Sequence, residues 1–421
     1  MTSPLALLGG TPVVTVEPPH FTWPPLTEST SMAVLDQLVS GISIPDRSGI
    51  VERLEEALAD YYGVRHAVLT CTGTAALHSM YAACRLGAGD EVIVPAYTFF
   101  ATVTPLFQLG ALPVLADCNA DGNLDVEDVA RRITSRTAAI VVTHMWGMPA
   151  DVRALCSLAD RHHLLLLEDG SHAHGAQVGG QKVGTFGRAA AFSLNGPKPL
   201  SAGEGGYVLT NDDDVYYRVL LHGQCNNRCR NELPRDHPLY RYSVTGMGLK
   251  FRIHPLAAAV AFDQLGHLDE YLDGRERIAA MMRERLTDVP GIAVPKVATG
   301  TKPSWYGFIL QYRRESLSNL PIERFYEAVK VEGCHVVDRP VSTCPLNTLP
   351  LFQDPARYIR HTQTVYRIIR ATSRTLKPFI TTRSSCQSGI GMRMCTWSNS
   401  TFERSARSLT TTVSCYDPTD G

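Results

Sequence analysis

The sequence predicts an α/β fold: a large domain with a mainly parallel sheet covered by helices on both faces, followed by a smaller α/β domain. Three observations predict it. From about His66 to Asp169, short apolar runs alternate with stretches of helical spacing, the pattern of βαβ units. The 421 residues, 44% hydrophobic and 19% charged, suffice for a sizeable core and more than one domain. After about Pro290 a second, shorter set of strand-like and helix-like segments begins.

In order, "HAVLT" reads as a buried strand, "CTGT" as a turn and "AALHSMYAACRLG" as a helix closed by glycine. "EVIVP" is the next strand, followed by a loop and a helical stretch to Gly110. "LPVLADC", "AAIVVTHMW" and "LLLLED" are further strands, with helices "DVEDVARRI" and "ADVRALCSLADRHH" between them. From Ile253, "IHPLAAAVAFDQLGHLDEYLDGRERIAAMMRERL" predicts one long connecting helix. Beyond Pro290, "WYGFILQYR" and "CHVVDRP" read as strands and "IERFYEAVKVEG" as a helix. After about His361 the chain is rich in Ser, Thr, Arg and Cys, with no sustained apolar period. Two readings stand there: a loosely attached tail, or an altered reading frame at the gene's end. The expected division is 1–289 for the large domain with its N-terminal arm and connecting helix, 290–361 for the small domain and 362–421 for the tail.

Composition narrows the function classes. Forty Lys and Arg against 41 Asp and Glu leave a formal net charge of -1, so nothing suggests nucleic acid or an anionic membrane surface as a partner. Apolar runs fall far short of a bilayer span. The opening "MTSPLALLGGTPV" has no basic segment and breaks at two glycines, so no secretory signal is expected. Eleven scattered cysteines without a CxxC pair point to reduced thiols and a cytoplasmic setting.

In open α/β sheets the ligand site lies beyond the carboxyl ends of the strands. That rule selects Thr70 to Thr74, Pro95 to Phe99, His144 to Gly147 and Asp169 to His172 as one pocket rim. Each feature there has a plain explanation when taken singly. Backbone N–H groups at the helix start after "CTGT" suit a phosphate, or belong to an ordinary cap by Thr72 or Thr74. Phe99 offers a ring-stacking face, or fills core. Asp169 ends a strongly apolar strand and needs a partner, such as a protonated pyridine nitrogen; otherwise it caps a turn. His172 and His174 raise a metal site, but their spacing is not that of a helical pair and no third ligand is evident. In "FSLNGPKPLSAGEGGYVLTN", Lys198 stands between two prolines, after Ser193 and before a Gly-rich turn. Lysine forms Schiff bases with aldehydes, with Ser193 placed to bind a phosphate. Together these features supply a phosphate cradle, a stacking face, a pyridinium partner, a hydroxyl and a Schiff-base lysine. Pyridoxal 5'-phosphate needs that set.

The segments "LLGGTPV", "YYGVRHAVLTCTGTAALH", "GAGDEVIVPAYTFFAT", "HMWGMPADVRAL", "LEDGSHAHGA", "VGTFGRAAAFSLNGPKPLSAGEGGYVLT" and "GLKFRIHPLAAAVAFDQL" cover roughly the first two thirds of the chain. In that order and spacing, the chain resembles the DegT/DnrJ/EryC1/StrS group of sugar and aminocyclitol aminotransferases. The resemblance implies the fold-type I, aspartate aminotransferase-like fold. It implies that Lys198 bonds the cofactor aldehyde, that Asp169 pairs with the ring nitrogen and that His172 lies near the phenolic oxygen. Phe99 would stack on the ring, and Gly73, Thr74, Ser193 and Asn195 would surround the phosphate. A homodimer with sites at the subunit boundary is also implied.

Two departures stand out. Lys250 occupies the place where the family often has an asparagine reaching the neighbouring subunit's phosphate; Arg252 keeps the family's arginine. The strand and final helix that usually close the small domain are not found after His361. The function expected from the resemblance is amine transfer from glutamate or glutamine to the ketone of a nucleotide-linked sugar or a cyclitol, in amino sugar or aminocyclitol (antibiotic-type) biosynthesis. The rivals are a sugar dehydratase of the same group, whose members carry histidine where Lys198 stands, and a non-catalytic homologue that binds cofactor or sugar.

Overall fold

Seven strands form the central sheet: β1 (His66–Thr70), β2 (Glu91–Pro95), β3 (Leu112–Ala116), β4 (Thr137–Thr143), β5 (Leu165–Asp169), β6 (Ala189–Ser193) and β7 (Gly206–Thr210). The computed structural model describes residues 4–15, 23–335, 337–338, 342–359 and the backbone of 379–383. Sheet order is β1-β7-β6-β5-β4-β2-β3, parallel except for β7, which runs antiparallel to both β1 and β6.

The strands are apolar on both faces because helices cover both. Along β2, Val92 and Val94 join Ala76 and Met80 of α3 (Gly73–Ala83) and Leu106 of α4 (Thr104–Leu109). Ile93, between them, points the other way, onto Leu155 and Leu158 of α6 (Val152–Arg161). Alternation of side chains across a strand produces the two layers. The short α5 (Val126–Arg132) lies on the second face, where Val129 joins the cluster of Ile93 and Leu155. On that same side, Leu54 and Leu58 of α2 (Gly49–Tyr62) pack with Phe192 of β6 and Tyr207 of β7. Helix α1 (Glu28–Ser40) precedes α2, and α7 (Asp213–Gly223) packs on the α3 face.

The predicted connecting helix is two helices, α8 (Pro255–Gly266) and α9 (Leu268–Leu286). His254 starts the first, its Nδ1 accepting from the Leu256 N–H at 3.2 Å, with Pro255 preset for a first turn. The break falls just after Gly266, a poor helix former. Helix α9 then carries Ala279 and Leu286 into a second core, with Trp305, Phe308, Leu310 and Tyr312 and with Phe325 and Ala328 of α10 (Ile322–Val331).

That second core lies on an antiparallel sheet of β8 (Ile292–Ala293), β9 (Gly307–Tyr312), β10 (Val337–Asp338) and β11 (Phe379–Arg383), in the order β8-β9-β11-β10. Strand β11 corrects the expectation that no closing strand follows His361. Its five residues, "FITTR", are mostly β-branched or aromatic but too few to stand out from a polar stretch. The rest of the expected tail lies outside the described residues.

The chain crosses between the two cores more than once. Leu5 packs into the second core, while Leu346 and Phe352 pack into the first. The short strand Thr343–Pro345 pairs antiparallel with Tyr97–Phe99 at the end of β2. Glu332, at the end of α10 and 2% exposed, accepts from the backbone N–H groups of Ala6 at 2.9 Å and Val13 at 3.0 Å. A buried carboxylate is tolerated when its oxygens are bonded in this way. Among the described residues no helix is long and apolar enough to cross a membrane.

Candidate active site

Strand β5 ends in two acidic residues, and the pleat sends them to opposite faces. Glu168 is fully buried and accepts from the backbone N–H groups of Gly184, Phe186 and Gly187, each at 2.8 Å. It is a structural carboxylate, holding the turn that leads into β6. Asp169, 4% exposed, faces the other way, into the rim. Its Oδ2 accepts from the Thr102 hydroxyl at 2.8 Å and its Oδ1 from the Ser171 N–H at 3.1 Å. Thr102 is itself 2.8 Å from the Thr98 hydroxyl, so the carboxylate is fixed from two sides.

Lys198 approaches Asp169 from the loop after β6. Prolines on both sides stiffen its backbone, its N–H donates to the Asn195 carbonyl at 2.9 Å, and its carbonyl accepts from Trp23 Nε1 at 2.8 Å. Burial pushes its amine down from the ordinary lysine value to about 8, with the Asp169 charge acting in the opposite direction. The desolvation that wins also makes the amine a far better nucleophile and base near neutral pH than an exposed lysine.

His172 stands beside them, buried, with Nδ1 accepting from the Trp146 N–H at 3.3 Å. Burial holds it well below the usual histidine range, and the Lys198 and His174 charges push the same way. The ring is therefore neutral, and the acceptor role of Nδ1 leaves the proton on Nε2. His174, the other histidine of the motif, turns away from the rim and packs edge-on against Phe192, ring centroids 5.2 Å apart. Among the described residues no group of three or more His, Cys, Asp or Glu side chains could hold a metal ion.

Opposite this trio lies a cradle. The Thr72 hydroxyl accepts from the Ala75 N–H at 3.0 Å and starts α3, whose first residues are Gly73 and Thr74. A Cβ on Gly73 would lie 2.5 Å from the Ser193 Cβ and 2.9 Å from its Oγ, so only glycine lets the helix start approach the end of β6. Ser193 Oγ accepts from the Asn195 N–H at 3.2 Å, and the Asn195 side chain donates to Glu204 at 2.8 Å. Thr74 is exposed at the open side. Gly73→Ala forces the two backbones apart, and overpacking of this kind costs about 1–3 kcal/mol. The expected outcome is a lower melting temperature and a weaker grip on inorganic phosphate, read by thermal unfolding with and without phosphate.

Phe99 is 37% exposed at the end of its short strand, its ring 4.2 Å from that of Phe100. Lys250 is exposed, next to Phe251, whose carbonyl accepts from the Cys71 N–H at 2.6 Å; Arg252 is half-buried. The structure thus brings Lys198 within electrostatic reach of both Asp169 and His172 and sets Gly73, Ser193 and Asn195 side by side, with Phe99 and Thr74 on exposed edges and Lys250 on the outer surface.

Sequence reasoning missed two aromatic residues. Tyr306, just before β9, stacks on His172 with centroids 4.2 Å apart, and Lys198 Nζ lies 4.5 Å from the same ring centroid. Trp23, from the N-terminal arm, holds the Lys198 carbonyl and takes the Arg275 guanidinium on its face at 4.5 Å. Both come from segments remote from the β5 and β6 motifs, and neither sits in a pattern that marks a site.

A primary amine, a fixed carboxylate, a neutral imidazole and an anion cradle around one cavity can hold a flat, phosphorylated aromatic aldehyde and move protons beside it. Comparison with known proteins agrees. The sequence matches the family model of the DegT/DnrJ/EryC1/StrS aminotransferase family over residues 29–373. It is 37% identical, over 84% of this chain and 83% of the relative, to L-glutamine:2-deoxy-scyllo-inosose aminotransferase of Streptomyces kanamyceticus. It is 36% identical, over 85% of this chain and 87% of the relative, to L-glutamine:scyllo-inosose aminotransferase of Streptomyces griseus. Among solved structures it is similar to DesI in the presence of its TDP-sugar product, with a TM-score of 0.72, 29% identity and coverage of 98% of this chain and 96% of the other.

Proposed function

Because this chain belongs to the DegT/DnrJ/EryC1/StrS aminotransferase family, whose members use pyridoxal 5'-phosphate, we propose that it transfers the amino group of L-glutamine to the ketone of a scyllo-inosose-type cyclitol. The single observation that carries the chemistry is that the Lys198 amine lies within electrostatic reach of the buried Asp169 carboxylate. The cyclitol and the glutamine donor rest on the two relatives named above, which span four fifths or more of the chain. Such a product belongs to aminocyclitol biosynthesis.

The residues present fit the cofactor. Gly73 lets the start of α3, with its backbone N–H groups, come up against the Ser193 hydroxyl, a donor set for a phosphate, and Thr74 and Asn195 stand beside it. Phe99 offers its exposed ring as a stacking face. Asp169 supplies the buried negative charge that keeps a pyridine nitrogen protonated, and the neutral His172 presents its Nε2 proton to a phenolic oxygen. When bound, pyridoxal phosphate supplies the aldehyde that takes the amino group and a ring that accepts the electron pair released at the donor's α-carbon. Lys198 would hold the cofactor through its aldehyde carbon between turnovers, and its free amine would act as general base and then general acid, taking the donor's α-proton and returning it to the former aldehyde carbon. Thr102 and Ser171 keep the Asp169 charge in place while the electron density moves.

A homodimer completes this reading. Helix α1 bonds to the body through Ser29 and Thr30, whose hydroxyls donate to Asp263 at 2.8 and 2.6 Å, yet its outer side carries Met32, Leu35 and Val39, the last 91% exposed. An apolar face of this size on a lone subunit calls for a cover, and a second copy provides it. Lys250, exposed beside the cradle, then serves across the boundary as a point charge for the phosphate.

The test is direct. Purified protein with pyridoxal phosphate and L-glutamine labelled at the α-nitrogen is offered scyllo-inosose, 2-deoxy-scyllo-inosose and a nucleotide-linked keto sugar. Label in an aminocyclitol is expected. Label only in the nucleotide sugar overturns the cyclitol assignment, and water loss from a keto-deoxy sugar without label transfer makes the protein a dehydratase.

A further inference from the structure

The segment 304–306 is stitched into the cavity more tightly than a domain junction requires. The Ser304 N–H donates to the Gly147 carbonyl at 2.9 Å, and the Ser304 hydroxyl donates to the His172 carbonyl at 2.8 Å. The Trp305 carbonyl accepts from Arg275 Nη1 at 2.9 Å. A side chain on Gly147 would collide with Ser304 and with the Tyr306 N–H, so that loop is kept bare for this segment. Trp305 and Trp146, on the two sides of the junction, both hold left-handed backbones, with φ of 50° and 58°. Bulky residues occupy that region only where the surroundings over-determine them.

All of this fixes one ring. Tyr306 stacks on the imidazole of His172, centroids 4.2 Å apart at an interplanar angle of 26°, with the indole of Trp146 alongside both, 6.0 Å from Tyr306 and 5.7 Å from His172. Lys198 Nζ sits 4.5 Å from the ring centroid. An aromatic face binds an ammonium at such a distance, and more strongly where water is excluded. The amine thus has two attractive neighbours, the Asp169 carboxylate and this ring, and two repelling ones when charged, His172 and His174.

From this geometry we propose that Tyr306 is a positioning residue whose ring face holds the protonated Lys198 amine whenever the lysine is not bonded to the cofactor. The inference rests on the assignment of Lys198 as the cofactor's lysine. In the reaction the hold acts once the amine has taken the donor's α-proton and until it gives that proton up, so that the charged end of a four-carbon stem keeps a fixed place. It also makes the small domain a participant, since Tyr306 immediately precedes β9.

The experiment reads the amine without turnover. Cofactor-free full-length protein is treated with trace acetic anhydride across a pH series, and acetylation of Lys198 is followed by peptide mass spectrometry. Tyr306→Leu removes the ring's hold on the ammonium, so its titration midpoint should fall by about half a unit to one unit. Tyr306→Phe keeps the ring and should superpose on the parent. A Leu variant that superposes on the parent overturns the proposal. So does a Phe variant that shifts as far as Leu, since the hydroxyl would then be the operative group. A separate arm adds pyridoxal phosphate to the parent and to Lys198→Ala and compares the visible absorbance band. An identical band in both removes the assignment of Lys198, independently of what the labelling says about Tyr306.

Discussion

Lys198→Ala is expected to lower glutamine-dependent amine transfer by about 10⁴-fold or more, because it deletes both the attachment point of the cofactor and the group that carries the proton. The backbone that carries the amine is held at both ends: Asn195 fixes its N–H and Trp23 its carbonyl. No neighbour can replace it as a base. His172 is held neutral but directs Nδ1 at the Trp146 N–H, and Asp169 is committed to Thr102 and Ser171. Single-turnover mixing with labelled L-glutamine, at saturating pyridoxal phosphate so that weakened binding does not limit the result, measures the effect. Full transfer in the variant would remove Lys198 from the mechanism.

The second large effect is at Asp169. Asp169→Asn keeps the shape and leaves an oxygen to accept from Thr102 or Ser171, but removes the negative charge. Loss of a preorganised electrostatic partner of the reacting centre typically costs about 10²–10³-fold, roughly 3–4 kcal/mol. The same substitution has a second, separable signature with a definite sign. Asp169 raises the Lys198 pKa against the lowering by burial, which brings it to about 8. Without the carboxylate only the lowering remains, so the amine should titrate below that value. Labelling of Lys198 against pH in the cofactor-free variant measures the shift. A midpoint that stays put, or rises, would separate the two residues and sink the pairing.

Much of this was legible in the sequence, for reasons that can be named. The parallel strands announce themselves because a strand buried on both faces is an unbroken apolar run, as "EVIVP" and "LLLLED" are. The carboxylate at Asp169 is conspicuous for ending such a run. Direction is not legible: "GYVLT" looks like its neighbours, yet β7 alone runs antiparallel in the central sheet. The need for glycine at position 73 is set by Ser193, 120 positions later, and no local pattern reports it. Trp23 and Tyr306 escaped for the same reason. Each is one aromatic residue in an irregular segment, and what gives it a role is a lysine far along the chain. The break at His267 was missed because the helical spacing runs through it almost unchanged.

The clasp at Glu332 has a bearing on how the molecule is made. It fastens residues 326 positions apart, and synthesis runs from the amino end. Ala6 and Val13 therefore leave the ribosome long before the carboxylate that holds them. Trp23, a little further on, waits likewise for the lysine loop. Ala6, Val13 and Trp23 thus gain these anchors only well after their own synthesis.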